Sequence, residues 1–333
     1  MPPSEHMRGV PDTFNARVVR FCSYQLRSRG PLNAASDSPW VSGVLIAYAG
    51  GYGCLQCWPS LGDPALEVEL ESLARGRPGI LAARALACAT KDGDARRQGI
   101  SHLDPAAIPP SHATLPPGAT AHDISAAASE GFTTCKLKAG PDWADMLEEW
   151  ERAAAIPDAP RLRFDFNASL TAAEAIAFAH SLSDPLRDAI DFVEDPCPFE
   201  VKSWLALRDA GIEPAADQWC DTPDAGQFIG ILKPARQDAE SVIRLAADTG
   251  RRLVVTSYMD HPLGVAHAAY WAAAAHAAGI HHGPAGLLTH RLFDETLGFP
   301  APSSTGPHWN LQPGTGLGYN DTLVSLPWQP LVP

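Results

Sequence analysis

Short apolar runs recur along most of the chain, and each ends in polar or charged residues before an alanine-rich stretch begins. The first is His112–Leu115. Thr134–Lys138, Leu162–Asn167, Asp191–Glu194, Pro214–Asp217, Ile229–Lys233, Leu253–Ser257 and Gly286–Thr289 follow. Stretches with helical spacing, such as Ala172–Leu182 and Ala239–Thr249, lie between them. Eight strand-then-helix units in series predict a parallel sheet with its helices outside, closed as a (β/α) barrel of the TIM type. A doubly wound α/β sheet shares the local pattern, because closure leaves no local mark.

The first hundred residues read differently. Phe14–Gln25 and Val41–Ala49 alternate or run apolar, and Gly50-Gly51 parts the second from Tyr52-Gly53-Cys54. These are strands of an antiparallel sheet. Helical stretches follow at Pro64–Arg75 and Gly79–Ala89, where Leu81, Ala85 and Cys88 keep a helical spacing. Proline-rich Asp104–Pro117 reads as a boundary, and Gly298–Pro333 returns to Pro/Gly-rich, strand-like sequence. The expected organisation is an α+β capping domain over 1–105, a catalytic barrel over 106–297, and a tail over 298–333 that packs on the cap.

Composition narrows the partners. Hydrophobic residues make up 45% and charged residues 19%, enough apolar material to fill a sizeable core. Lys+Arg 25 against Asp+Glu 38 leaves a net charge of −13, which repels polyphosphate and anionic membrane. No apolar run approaches the roughly 18 residues of a membrane span. Met1–His6 has no basic segment leading into an apolar one, so the expectation is a soluble, cytoplasmic protein that acts on a small molecule. The seven cysteines are odd in number and scattered, which argues against a disulfide framework. Cys54-x-x-Cys57 lacks a second pair for zinc, and Pro59, Gly62 and Pro64 follow it where a redox motif would open a helix.

The charges fall at the strand ends. Five consecutive predicted strands end in Lys136/Lys138, Asp165, Glu194, Asp217 and Lys233. In a parallel barrel those ends meet in space at one face. Carboxylates on three adjacent strands suit a hard cation with oxygen ligands, which points to Mg²⁺. Lys136 and Lys138 are two apart and project from the same side of their strand. One strand-end acid is commonly a helix cap, but the order Lys, acid, acid, acid, Lys argues against independent capping.

These residues resemble the enolase superfamily, in the subgroup of muconate-lactonizing enzymes, dipeptide epimerases and o-succinylbenzoate synthases. Lys136-Leu137-Lys138 matches the Lys-x-Lys of the second barrel strand. Asp165, Glu194 and Asp217 match the metal ligands of the next three strands, and Lys233 matches the lysine of the sixth. Phe164–Asn167 resembles the D-x-N motif, and Val193–Pro196 resembles E-[QE]-P with Asp195 at the variable place. Gln218 stands where Glu is common. The first hundred residues and the tail are similar to the family's capping domain, with Gly51 through Pro59 as the loop that closes over substrate.

The resemblance implies a Mg²⁺ cofactor and proton abstraction beside a carboxylate, giving a metal-stabilised enediolate. Lys138 is then the base, Lys136 depresses its pKa or contacts the carboxylate, and Lys233 faces them across the barrel. Thr256–Asp260, Gly286–His290 with Phe293, and Gly314–Gly318 are most similar to o-succinylbenzoate synthases, with Ser257, Tyr258 and Asn167 touching substrate. That group dehydrates 2-succinyl-6-hydroxy-2,4-cyclohexadiene-1-carboxylate, a step of menaquinone biosynthesis, which makes this a hydro-lyase acting as monomer or homodimer. Epimerases often carry an acidic motif after the eighth strand; here His290 and Arg291 come first, and Asp294 and Glu295 later. An N-succinylamino-acid racemase or dipeptide epimerase is the second reading, and a non-catalytic barrel scaffold the third. His267, His276, His281 and His282 read as packing or surface residues.

Overall fold

The structure is a computed structural model that describes residues 18–30, 38–294, 299–300 and 303–332. Three antiparallel strands come first: Arg20–Arg27 (β1), Trp40–Tyr48 (β2) and Gly51–Gln56 (β3). The expected start of β1 at 14–17 lies outside the described residues. Two helices, Leu66–Ala74 (α1) and Ile80–Gln98 (α2), follow. Residues expected to form a cap loop from Gly51 instead form β3, a buried strand. The reason is close packing. A Cβ on Gly51 would lie 2.3 Å from the Ala89 carbonyl oxygen, and one on Gly53 would lie 2.1 Å from that of Ala85. Glycine there lets strand and helix backbones touch.

α2 also runs well past the predicted end at Ala89. The polar stretch that reads as a stop carries Asp92, which is 1% exposed. Its carboxylate accepts the Tyr52 N–H at 2.9 Å, the Leu317 N–H at 2.7 Å and Arg96 Nε at 2.6 Å. Tertiary hydrogen bonds thus keep a polar turn helical where local sequence reads as an end.

The parallel layer is built from Ala113–Leu115 (β4), Ala121–Ser129 (α3), Thr134–Lys138 (β5), Trp143–Ala154 (α4), Arg161–Asp165 (β6) and Ala172–Ser181 (α5). It continues through Asp184–Ala189 (α6), Ile190–Glu194 (β7), Val201–Asp209 (α7), Pro214–Ala216 (β8), Ile229–Leu232 (β9), Ala239–Thr249 (α8), Leu253–Val255 (β10) and Pro262–Ala277 (α9). The seven strands pair in sequence order, all parallel. Capping boxes at Thr120/Asp123 and Thr171/Glu174 start α3 and α5 cleanly.

The eighth strand is only a set of isolated bridges, the first of them His281 with Leu253 of β10. Ala285 pairs with Ser111 and Gly286 with Thr256, both parallel, so these two residues join β4 to β10 and close the ring. Pro284 has no N–H and interrupts the ladder between His281 and Ala285, and Thr289–Leu292 turns into a 3-10 helix downstream.

The tail holds a small hairpin, Ser303–Thr305 (β11) with His308–Asn310 (β12), then Asn320–Ser325 (α10) and Gln329–Pro330 (β13). β13 pairs antiparallel with β1, so the cap sheet is made from both ends of the chain. All seven cysteines are free and buried, Cys54 and Cys57 among them. Among the described residues no helix is long and apolar enough to cross a membrane.

Candidate active site

Each strand of a parallel barrel delivers its last residues to the same face. β5 ends in Lys136 and Lys138, β6 in Asp165, β7 in Glu194, and β8 and β9 stop one residue short of Asp217 and Lys233. The six charges meet there. Lys136 Nζ lies 2.8 and 2.7 Å from the two Glu194 oxygens and 2.8 Å from Asp165 Oδ2. Lys138 Nζ lies 2.6 Å from the same Asp165 oxygen, and Lys233 Nζ donates to Asp217 Oδ2. In a ring of eight strand positions β5 and β9 are four apart, so Lys138 and Lys233 face each other across the opening.

Burial makes these contacts matter. Asp165 and Glu194 are each 2% exposed. Burial alone would raise the Asp165 pKa, but Lys136 and Lys138 outweigh it and hold the carboxyl well below the usual range. Glu194 goes the other way, raised by burial and then by the Asp165 charge. Burial disfavours the Lys136 ammonium, yet Asp165, Glu194 and Asp217 outweigh that and hold its pKa above an ordinary lysine's. Glu194 sits behind Lys136, while Lys136, Lys138, Asp165, Asp217 and Lys233 line a cavity of about 320 Å³.

Local backbone fixes the rim. Asn167 has a positive φ of 49° and donates its N–H to Asp165 Oδ1 at 3.1 Å, which orients that carboxylate. Asp195, at φ 42°, takes the N–H of Asp217 at 3.0 Å and of Gln218 at 3.1 Å. A shorter acid at the variable place of the fourth-strand motif therefore pins the end of the next strand.

The donor set suits a hard divalent cation. It offers three carboxylates from adjacent strands, and Asp217 Oδ1 is buried with no hydrogen-bond partner, a lone pair left over for a ligand. Among the described residues no three acidic, His or Cys side chains are already gathered round one point, because the lysine ammonium groups stand between the acids.

The remaining expected residues also reach the cavity. Ser257 is 4% exposed, with its Oγ 2.6 Å from Thr289 Oγ1. Tyr258 offers its ring rather than its hydroxyl, which it donates to Asp63 Oδ2 at 2.6 Å. Lys233 and Arg236 lie 5.8 and 5.5 Å from that ring's centre. The cap contributes Ser60 and Leu61 to the wall. Sequence reasoning missed His112, Thr114 and Arg236 in the lining, and reached Thr256 only as the start of the Thr256–Asp260 turn. Strand alternation could have found two of them, since His112 and Thr114 share the inward side of the first barrel strand. Glu295 lies outside the described residues. Of the histidines, His267 accepts the Trp271 indole N–H at 2.9 Å, and His282 Nε2 lies 3.0 Å from Asp191.

Two family descriptions match this chain: "O-succinylbenzoate synthase, N-terminal domain" over residues 19–95, and "Enolase C-terminal domain-like" over residues 119–227. A curated o-succinylbenzoate synthase from Bdellovibrio bacteriovorus is 29% identical, covering 94% of this chain and 98% of its own. Among solved structures, a mandelate racemase/muconate lactonizing protein from Herpetosiphon aurantiacus superposes with a TM-score of 0.74 at 18% identity, covering 91% of this chain and 98% of that one. The dipeptide epimerase from Cytophaga hutchinsonii, solved with Mg and a dipeptide, gives 0.69 at 18% identity, covering 93% and 98%.

Proposed function

The chain belongs to the enolase superfamily, and on that premise we propose that it dehydrates 2-succinyl-6-hydroxy-2,4-cyclohexadiene-1-carboxylate to o-succinylbenzoate with Mg²⁺ as cofactor. The observation that carries the chemistry is the pair Lys138 and Lys233, facing each other across three buried carboxylates. The choice of substrate is supported by the full-length curated relative and the cap-domain match. The reaction is a step of menaquinone biosynthesis in the cytoplasm.

Asp165, Glu194 and Asp217 would hold the cation. When bound, it supplies positive charge against which a substrate carboxylate can build negative charge. Lys138, neutral at that moment, takes the proton from the carbon beside the carboxylate, and Lys136 faces the carboxylate itself. Lys138 then gives that proton to the departing hydroxyl, so one water leaves and the ring becomes aromatic. Lys233 stays protonated over the face of the developing ring, a cation–π contact. Asn167 and Ser257 hold the substrate's edge, and Tyr258 walls the cavity.

The assay follows loss of the diene absorbance with purified protein and Mg²⁺, beside EDTA and Lys138→Met controls. Turnover that both controls abolish is the expected result. Two lysines on opposite sides are also what a two-base epimerisation needs. A second arm therefore looks for deuterium entering N-succinyl amino acids or dipeptides; exchange there without dehydration would replace the lyase reading with an epimerase.

A further inference from the structure

At the floor of the cavity two hydrogen-bonding groups stand without a partner among the described residues. His112 is 3% exposed and lines the floor from the residue just before β4. Its Nδ1 lies 2.9 Å from Arg163 Nη1. A guanidinium only donates, so Nδ1 is the acceptor and the ring proton sits on Nε2. Burial, then the charges of Arg163 and Lys136, holds the imidazole neutral. Among the described residues nothing hydrogen-bonds Nε2.

Thr256, just beyond β10, lines the same floor and is 6% exposed, and its Oγ1 is buried with no partner. Gly286 lies between the two. A Cβ there would stand 2.7 Å from Thr256 Cγ2 and 3.1 Å from His112 Cε1. Glycine there lets the Thr256 methyl and the edge of the His112 ring pack closely on the backbone. Folded proteins leave few buried polar atoms unpaired. A neutral N–H and an unpaired hydroxyl, on two residues that line one cavity and pack on the same glycine, are suited to receive an oxygen that only accepts.

We propose that His112 and Thr256, parted by Gly286, form a subsite for an acceptor oxygen on the substrate's acyl arm, separate from the carboxylate beside the reacting carbon. The proposal rests on the function above. Its substrate offers two such oxygens, the ketone of the succinyl arm and its terminal carboxylate. Both groups of the subsite are uncharged donors, so position rather than charge selects the arm.

The test is calorimetric binding to the Mg²⁺-loaded protein. The probes are o-succinylbenzoate, 2-butanoylbenzoate (ketone kept, terminal carboxylate gone), 2-(3-carboxypropyl)benzoate (the reverse) and plain benzoate. Thr256→Val is the sharper variant, because no group among the described residues uses the hydroxyl it removes. Affinity for o-succinylbenzoate should fall about tenfold while the melting temperature holds or rises. His112→Phe should weaken binding as well. The probe that keeps the recognised oxygen will share the loss, the one that lacks it will not, and benzoate will bind as before.

The proposal is overturned if both variants bind every probe like the wild type while the wild type still dehydrates its substrate. An equal loss against all four probes, benzoate included, overturns it too, since that marks a general distortion. If the wild type neither dehydrates the diene nor binds any probe, the function itself falls and the subsite falls with it.

Discussion

The barrel holds two buried charge clusters, one layer apart on the same strands, and they are built to opposite ends. In the upper one, Lys136, Lys138 and Lys233 meet Asp165, Glu194 and Asp217 at the strand ends, beside a cavity. In the lower one, Arg163 points inward two residues before Asp165 and is 0% exposed. It donates to Asp191 at 2.8 Å, to His112 at 2.9 Å and to the Pro284 carbonyl at 2.7 Å, and lies 4.6 Å from the Phe192 ring centre. The guanidinium of the lower cluster is bonded on every nitrogen. The upper one leaves Asp217 Oδ1 unpaired and crowds two lysines onto one Asp165 oxygen. A cluster that satisfies itself holds a fold together; one that is short of partners waits for a ligand.

Substitution in each layer should therefore fail differently. Lys138→Met should cut turnover by about 10²–10⁴, the usual weight of a general base. Its urea midpoint should move little, because Asp165 keeps Lys136. Arg163→Met should do the reverse in kind. It leaves the Asp191 carboxylate with His282 alone and should cost about 3 kcal/mol of stability, read from urea unfolding. A stable Arg163→Met protein would erase the distinction between the layers.

Much of this was legible beforehand, for definite reasons. Short apolar runs followed by alanine-rich stretches located the seven strands of the parallel sheet, and the five charged ends located the upper cluster, because a strand delivers its last side chain wherever its pattern stops. Closure was another matter. It depends on isolated backbone bridges at His281, Ala285 and Gly286, which no local pattern encodes. The continuation of α2 past Ala89 depends on Leu317, more than two hundred residues away, bonding Asp92. That His112 and Thr256 have unpaired groups was not legible, because an inward-facing polar residue looks the same in sequence whether it is paired or not.

Another buried acid, Asp260, stands at the seam of cap and barrel and belongs to neither cluster. It is 2% exposed, with Oδ1 unpaired, and Tyr24, Cys54 and Cys88 lie round it. Burial pushes its carboxyl up to about 7. The unfolded chain loses that proton near 4 and the folded one near 7, so the unfolded state binds fewer protons between those values. Stability attributable to Asp260 is whole below about pH 4, falls as pH rises to about 7, and stays lower above that. Asp260→Asn takes no part in that titration. Its advantage over the wild type should grow across this window to on the order of 3 kcal/mol at pH 8, measured by urea unfolding at several pH values. A difference that is flat with pH would show that Asp260 is already ionised and paired in the folded protein.

The smallest effect is expected at Tyr258, where the cap meets the site. Its hydroxyl bonds Asp63, and Asp63 also takes the Trp58 N–H at 2.8 Å and lies 3.7 Å from Arg236. Trp58 returns a bond from Nε1 to the Tyr258 carbonyl at 3.0 Å. Tyr258→Phe removes one of several ties, so it should cost about 1–2 kcal/mol in unfolding experiments. The kinetic split is more telling. If the phenol works only through Asp63, the cap segment loosens and KM rises with kcat unchanged. A fall in kcat would place the phenol itself against the reacting ring. It would also move Tyr258 from the seam into the upper cluster.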